Sequence, residues 1–247
     1  MFLRAYFDES IRKDVDTFTV AGYAFLPDQV KRFDRSWRKM LGPYQVFHMA
    51  DFNSGRNEFK NISKDLQHSM IREAVRIINA RVLVGVSASC SAEAFEEMRP
   101  RELRFHRDPY PFLCHLCIVK ISDLLDSNRL RGNVAYVFEA GHRCQGDADR
   151  LMQLVHADPH VSRRFRYKDH SFVPKEGAAP LQAADFLAWE WGKYAGERDR
   201  RPMRKSLEAL IEHDRARMWC VNMGQEHIRR WFELAEENNL YRELFKG

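Results

Sequence analysis

The first residues of the chain form a short apolar stretch that ends in two acids. Residues 2–7 are mostly aromatic or aliphatic, are too few for a helix, and are followed by Asp8, Glu9 and a polar turn. This pattern predicts a β-strand over residues 2–8 with both faces covered. Because open α/β sheets bind ligands beyond the carboxyl ends of their strands, we expect Asp8 to point into such a crevice. A carboxylate buried there needs a partner, and the partner that we predict is a divalent metal ion.

The sequence shows no boundary between domains. No Pro-, Gly- or Ser-rich linker interrupts the 247 residues, and a hydrophobic content of 45% is sufficient for a sizeable core. We therefore predict a single domain over residues 1–247, with a core over about 1–195 and a helical extension over about 196–247.

Composition also predicts the compartment. No apolar run approaches the ~20 residues that span a bilayer, so we expect no membrane partner. The acids at positions 8 and 9 argue against a signal peptide, and five cysteines are an odd, low number that does not suggest a disulfide framework. The expected location is the reducing environment of the cytoplasm.

Part of the net charge of +5 comes from three clusters of basic residues, at 99–107, 163–168 and 198–205. Basic clusters that flank an acidic centre can hold phosphates, and we expect nucleic acid as the partner. Ordinary solvated surface is the other interpretation of each cluster, since acids are interleaved elsewhere in the chain.

Strand and helix patterns alternate along the chain. Residues 17–26 predict a second strand that forms a hairpin with the first, and further strands are predicted over 81–89, 133–138 and 165–173. Between them, helices are predicted to begin near residues 27, 63, 92, 111, 147 and 180, and two or three helices finish the chain. This order predicts an α/β fold with a mixed sheet flanked by helices.

Three acids stand at the boundaries of these elements. Asp8 and Glu139 close predicted strands, whereas Asp185 lies near the start of an otherwise apolar helix and shares a face with Gln182. Each acid alone has a structural explanation as a turn cap, a solvated strand end or a helix-dipole partner. Together they form a set that two strand ends and one helix start can bring into one crevice. Mg²⁺ or Mn²⁺ binds such oxygen ligands, and two such ions can hydrolyse a phosphodiester.

Four segments resemble the uncharacterised DUF3800 family, from residue 2 to about residue 195. They are Tyr-Phe-Asp-Glu-Ser at 6–10, Phe-Thr-Val-Ala-Gly-Tyr at 18–23, His-Met-Ala-Asp at 48–51 and Gln-Ala-Ala-Asp-Phe-Leu-Ala-Trp at 182–189. The resemblance implies a ribonuclease H-like fold and a metal-dependent, nuclease-like site. The residues that it implies are Asp8, Glu9, Glu139 and Asp185, with His48 and Asp51 nearby.

The opening motif departs from the family at one position, because Ile11 stands where the family has glycine. The turn after Ser10 is therefore expected to differ. Neighbouring residues of a strand face opposite sides, so Asp8 and Glu9 can both point inward only if the strand ends at Asp8. For this reason we rank Asp8 above Glu9 as a ligand.

Several polar residues are candidates for supporting roles. His48 and Asp51, three residues apart, could share a face, with His48 as a proton shuttle and Asp51 as an outer metal ligand. A loop histidine bonded to the backbone is the alternative. Lys175 could neutralise a phosphate or a developing charge, and a solvated loop lysine is the alternative.

These patterns predict a nuclease that uses one or two Mg²⁺ or Mn²⁺ ions held by Asp8, Glu139 and Asp185. A non-catalytic module that binds nucleic acid or another partner is the first alternative, and a metal-dependent phosphohydrolase of small molecules is the second. The choice between DNA and RNA and the oligomeric state stay open at this stage.

Overall fold

The structure, a computed structural model, describes residues 2–100 and 108–237. Within these residues a mixed sheet has the strand order β5-β4-β1-β2-β3-β6. The strands are β1 (Phe2–Arg12), β2 (Thr17–Phe25), β3 (Val84–Cys90), β4 (Asn133–Glu139), β5 (Tyr167–Val173) and β6 (Met218–Met223). β2 pairs antiparallel with β1 and β3, whereas the β1–β4, β4–β5 and β3–β6 pairs are parallel. The predicted α/β class and mixed sheet are confirmed.

Helices cover both faces of the sheet. They are α1 (Pro27–Leu41), α2 (Met49–Ser54), α3 (Lys64–Arg81), α4 (Ala92–Met98), α5 (Pro109–Ser127), α6 (Gln145–Ala157), α7 (Pro159–Arg164), α8 (Ala179–Glu197), α9 (Lys205–His213) and α10 (Gln225–Glu237). Alternate residues of β1 enter different cores: Leu3, Ala5 and Phe7 pack with α5, and Tyr6 packs with α1, α3 and α8. A strand buried on both faces must be apolar throughout, which explains the opening stretch of the sequence. Every helix in the described part of the chain is too short or too polar to span a lipid bilayer.

The first hairpin is longer than the sequence predicted. β1 continues past Asp8 and pairs with β2 as far as Arg12, opposite Thr17. The chain reverses at a 3₁₀ turn, Lys13–Val15, and at Asp16, which has a left-handed φ of 43°. Ser10, Ile11 and Arg12 therefore belong to β1 rather than to the turn, because backbone pairing with β2 decides where the strand ends.

Other boundaries also differ from those predicted. α3 runs through Arg81, so β3 begins at Val84 rather than at residue 81. The segment expected to be a loop around residues 47–52 contains the short helix α2. Most of the basic cluster at 99–107 lies outside the described residues.

The extension after residue 195 is not purely helical, so that part of the prediction is wrong. Met218–Met223 forms β6, which pairs in parallel with β3 at the edge of the sheet. Five of its six residues are half-buried, with no alternation of buried and exposed positions. A strand without that alternation has no local sequence signal, so its pairing with β3 decides its structure.

Two glycines of α8 let this helix lie close to the first hairpin. A Cβ atom at Gly192 would lie 2.8 Å from Thr19 Oγ1, and one at Gly196 would lie 2.5 Å from Val15 Cγ2. The absence of side chains there allows α8 to pack on β1 and β2. This packing fixes the position of Asp185, which lies two turns earlier on the same helix.

Candidate active site

Three elements bring the predicted acids to one end of the sheet. β1 and β4 pair in parallel through Phe7 and Phe138, so the residues that follow, Asp8 and Glu139, lie side by side at the carboxyl ends of their strands. α8 packs on β1 and carries Asp185. Asp8 and Asp185 are 2% and 4% exposed, which means that both carboxyl groups have left bulk water.

A lysine ammonium lies among these three acids. Lys175 Nζ is 2.7 Å from Asp8 Oδ2, 3.2 Å from Glu139 Oε2 and 3.4 Å from Asp185 Oδ1. Lys175 belongs to a 3₁₀ turn, Lys175–Gly177, just before α8, and it is only 5% exposed. The alternative of a solvated loop lysine is therefore wrong. Burial alone would lower the pKa of Lys175. The negative charges of the three acids outweigh burial and raise this pKa above its usual range, so the side chain stays charged.

Glu9 joins the acids although β1 does not end at Asp8. Carboxylate oxygens of Asp8, Glu9 and Glu139 all lie within 4.8 Å of one another. Pairing between β1 and β4 stops at Phe7, so the edge of β1 is open beside both acids. The Glu9 backbone N–H donates to Asp8 Oδ1 at 2.7 Å, which turns the Asp8 side chain toward Glu9. Strand alternation does not separate the two carboxylates here, because both side chains can turn toward the open edge of β1 beyond Phe7.

Burial and mutual repulsion control the protonation of this group. Burial raises the pKa of Asp8 well above its usual value, and the hydrogen bond with Glu139 raises it further. Burial tends to raise the pKa of Glu139 as well. The hydrogen bond from Asp8 and the charge of Lys175 outweigh burial and lower the pKa of Glu139 below its usual value. Asp8 is therefore the member of this pair that keeps a proton to higher pH. Burial, followed by the charge of Glu139, raises the pKa of Glu9 to about 7.

Asp185 also holds α2 in place. Its Oδ2 accepts a hydrogen bond of 2.6 Å from the backbone N–H of Met49, the first residue of α2. A carboxylate at that point satisfies a helix N–H group that has no partner within the helix. Asp185 thus links the acid group to the segment that carries His48.

Gln182 positions the surrounding backbone. Its Oε1 accepts hydrogen bonds of 2.9 Å from both Trp37 Nε1 and the Phe47 N–H, and its Nε2 donates to the Lys175 carbonyl at 3.3 Å. All of these groups are buried. The predicted supporting role of Gln182 therefore takes the form of a scaffold for the segments that carry His48 and Lys175.

His48 and Asp51 lie together beside the acids. His48 Nδ1 is 3.4 Å from Asp51 Oδ2, and the charge of His48 contributes to the lowered pKa of Glu139. Asp51 also accepts a hydrogen bond of 2.7 Å from Asn57 Nδ2 and lies 3.6 Å from Arg56 Nε. These contacts tie Asp51 to His48 and its neighbours, while Glu9 rather than Asp51 lies with Asp8 and Glu139.

A stacked pair of rings that the sequence did not predict lies near Glu9. Tyr110 stacks on His142, with ring centroids 3.9 Å apart. Burial raises the pKa of Tyr110, and the charges of Glu9 and Asp8 add to this effect. Asp108 caps α5 by accepting the Tyr110 N–H at 2.9 Å. The pair of prolines at the start of α5 and Asp108 before them were the available signal, since the predicted helix began two residues too late.

The oxygen atoms of this group fit a hard divalent cation. Three carboxylates offer oxygens close together, and Glu9 Oε2 is buried without a hydrogen-bond partner in the described part of the chain. Mg²⁺ and Mn²⁺ prefer such ligands and keep several waters. The Lys175 ammonium already supplies one positive charge to these carboxylates. A cation that binds them therefore meets a group whose negative charge is partly neutralised.

The chain was compared with protein-family models and with curated proteins. No protein-family model matches the chain, and no curated protein matches it. The resemblance to the DUF3800 family stays an expectation.

Proposed function

We propose that the protein is a divalent-metal-dependent nuclease that hydrolyses phosphodiester bonds of nucleic acid. The observation that carries the proposal is the convergence of Asp8, Glu9, Glu139 and Asp185, which come from three segments far apart in sequence, at the carboxyl end of the sheet. Buried acids with perturbed pKa values that gather at one place mark a candidate functional site. In this proposal Asp8, Glu9 and Glu139 hold Mg²⁺ or Mn²⁺, and Asp185 lies beside them.

The sheet order supports a ribonuclease H-like fold as part of the proposal. β1, β2 and β3 are consecutive and antiparallel, and β4 and β5 join in parallel on the other side of β1. This is the arrangement expected if the resemblance to DUF3800 is correct. The cytoplasm, which supplies both nucleic acid and Mg²⁺, is the proposed setting.

A bound ion would supply an acidified water and positive charge for the phosphate oxygens. The residues of the chain provide the rest. With Nδ1 directed to Asp51, His48 has Nε2 available to accept or return a proton. The ammonium of Lys175 neutralises part of the charge of the acids, and a phosphate bound beside them would share that positive charge.

Cleavage of labelled DNA and RNA with Mg²⁺, Mn²⁺ or EDTA tests the proposal. We expect Asp8→Asn and Asp185→Asn to lower metal-dependent cleavage by about 100-fold or more. Asp28→Asn, an exposed acid in the first turn of α1, is the matched control and should cleave like the wild type. Cleavage that persists in EDTA or in both site variants would refute the proposal, and turnover of nucleotides alone would favour the small-molecule phosphohydrolase.

One observation favours a second candidate, the non-catalytic binding module. Lys175 already neutralises part of the acid group and is itself buried, so the protein supplies one cation to the site without an ion. In that case the wild type binds nucleic acid tightly but releases no product, and titration calorimetry detects no binding of Mn²⁺.

A further inference from the structure

A second charged cavity lies along α8, beyond the acid group. It has a volume of about 280 Å³ and is lined by α2, α8 and the segment before α9. Its charged and polar lining residues are Asn53, Glu190, Lys193, Glu197, Arg201 and Arg204. We refer to it as the basic pocket.

The basic pocket and the acid group share two walls. Asp185, Trp189 and Lys193 follow one another at intervals of four residues on α8, so they lie along one ridge of the helix. Eight residues of helix correspond to about 12 Å. On the other wall, Arg204 Nη1 lies 3.5 Å from Asn53 Oδ1, and Asn53 belongs to the same short helix whose first N–H binds Asp185.

The acids of the basic pocket are already paired. Glu197 Oε1 is 2.8 Å from Arg12 Nη1, and Glu197 Oε2 is 3.4 Å from Arg201 Nε. Glu190 accepts a hydrogen bond of 2.8 Å from Ser206 Oγ and lies 3.5 Å from Arg204 Nε. Each carboxylate therefore has cationic or hydroxyl partners of its own.

Lys193 takes part in none of these ion pairs. Within residues 2–100 and 108–237 no carboxylate lies within 4.0 Å of its Nζ, which instead lies 4.9 Å from the centre of the Trp189 ring. The guanidinium carbon of Arg204 lies 5.0 Å from the same ring. Burial, followed by the charge of Arg204, lowers the pKa of Lys193, which is the effect of a cation placed near other cations. An anion in the pocket would relieve this repulsion.

We propose that the basic pocket binds a backbone phosphate of the nucleic acid while a phosphodiester further along the same strand reaches the acid group. This inference rests on the proposed function. A mononucleotide is too short to occupy both places, whereas a strand that follows α8 can occupy both at once. The contact is to phosphate only, so it positions the strand and carries no base preference.

Binding of fluorescein-labelled single-stranded DNA and RNA oligonucleotides in EDTA tests the pocket separately from cleavage. The double variant Lys193→Gln/Arg201→Gln removes two positive charges, and Glu197 keeps its partner Arg12. Arg204 stays unchanged because it pairs with the buried Glu190. The matched control is Lys31→Gln/Arg35→Gln, which removes the same charge from exposed positions of α1. Thermal unfolding verifies that each variant is folded.

We expect the pocket variant to bind about tenfold more weakly at low salt, and the slope of log K against log salt to become shallower by about 0.7, since the pocket neutralises one phosphate of a single strand. The control should bind like the wild type. Equal weakening of both variants, no weakening of either, or no binding by the wild type would overturn the proposal. A wild type that binds through the pocket but does not cleave refutes the nuclease alone, whereas cleavage with an indifferent pocket variant refutes the pocket alone.

Discussion

Replacing Lys175 by methionine is the sharpest test of the electrostatics of the acid group. The variant keeps most of the volume of the side chain but removes the ammonium that lies within 3.4 Å of Asp8, Glu139 and Asp185. Removing one partner of a buried ion pair costs about 3–5 kcal/mol, because the other charge stays buried and unpaired. For a chain of this length, that loss lowers the melting temperature by roughly 6–20 °C.

The loss should depend on pH in a defined direction. Burial raises the pKa of Asp8 and the charge of Lys175 opposes this, so without Lys175 the buried Asp8 keeps its proton to still higher pH than in the wild type. A folded state that binds protons which the unfolded chain has released becomes less stable as pH rises. The variant should therefore be close to wild type in acid and much less stable in mild alkali.

Thermal unfolding by circular dichroism at pH 5 and pH 8, in EDTA and with added Mg²⁺ or Mn²⁺, measures these effects. Lys120→Met is the control, because Lys120 pairs with Asp123 at the surface, where such pairs contribute at most about 1 kcal/mol. If an ion binds the acids, it should restore part of the lost stability of the Lys175 variant. A Lys175 variant that melts like the Lys120 control at pH 8 in EDTA would refute the reasoning.

Two further predictions concern Glu9 and α8. The pKa of Glu9 rises from 4.5 to about 7 on folding, so folding takes up a proton there and this group makes the wild type less stable as pH rises through that range. Between pH 4 and pH 8, the free energy of unfolding in urea should decline by about 3 kcal/mol less in Glu9→Gln than in the wild type. An equal decline in both proteins would contradict the burial of Glu9. Gly192→Ala should cost about 1–3 kcal/mol, since the new methyl group meets Thr19 Oγ1 at 2.8 Å. Gly146→Ala on α6, where a Cβ meets nothing within 4 Å, should leave the stability unchanged or slightly higher, and equal losses in both variants would contradict the close packing of α8.

The sequence predicted those parts of the fold that have a local signal. β1 from Ala5 to Phe7 and β4 from Val134 to Phe138 are apolar runs because both of their faces are largely buried, and Asp8 and Glu139 stand out because they end those runs. Asp185 stands out because the first turns of α8 are otherwise apolar or small apart from Gln182. Such contrasts are visible without a structure, since burial on both sides leaves no place for an unpaired charge.

The remaining features depend on contacts between distant segments. β6 is a strand only because β3 offers it an edge, and Glu9 reaches Glu139 only because β4 stops where β1 continues. The place of Lys175 among three acids likewise requires the turn before α8 to lie over the ends of two strands. Neither spacing nor periodicity along the chain encodes these juxtapositions.

The ammonium of Lys175 has a consequence for how the protein matures. Small zinc domains stay unfolded until they bind their metal, because the free energy of metal binding drives their folding. Here a tethered cation moderates the repulsion among the acids from the moment that the turn before α8 meets the sheet. The chain can thus complete its folding where divalent ions are scarce, and binding of an ion at the proposed site would be a later, reversible event.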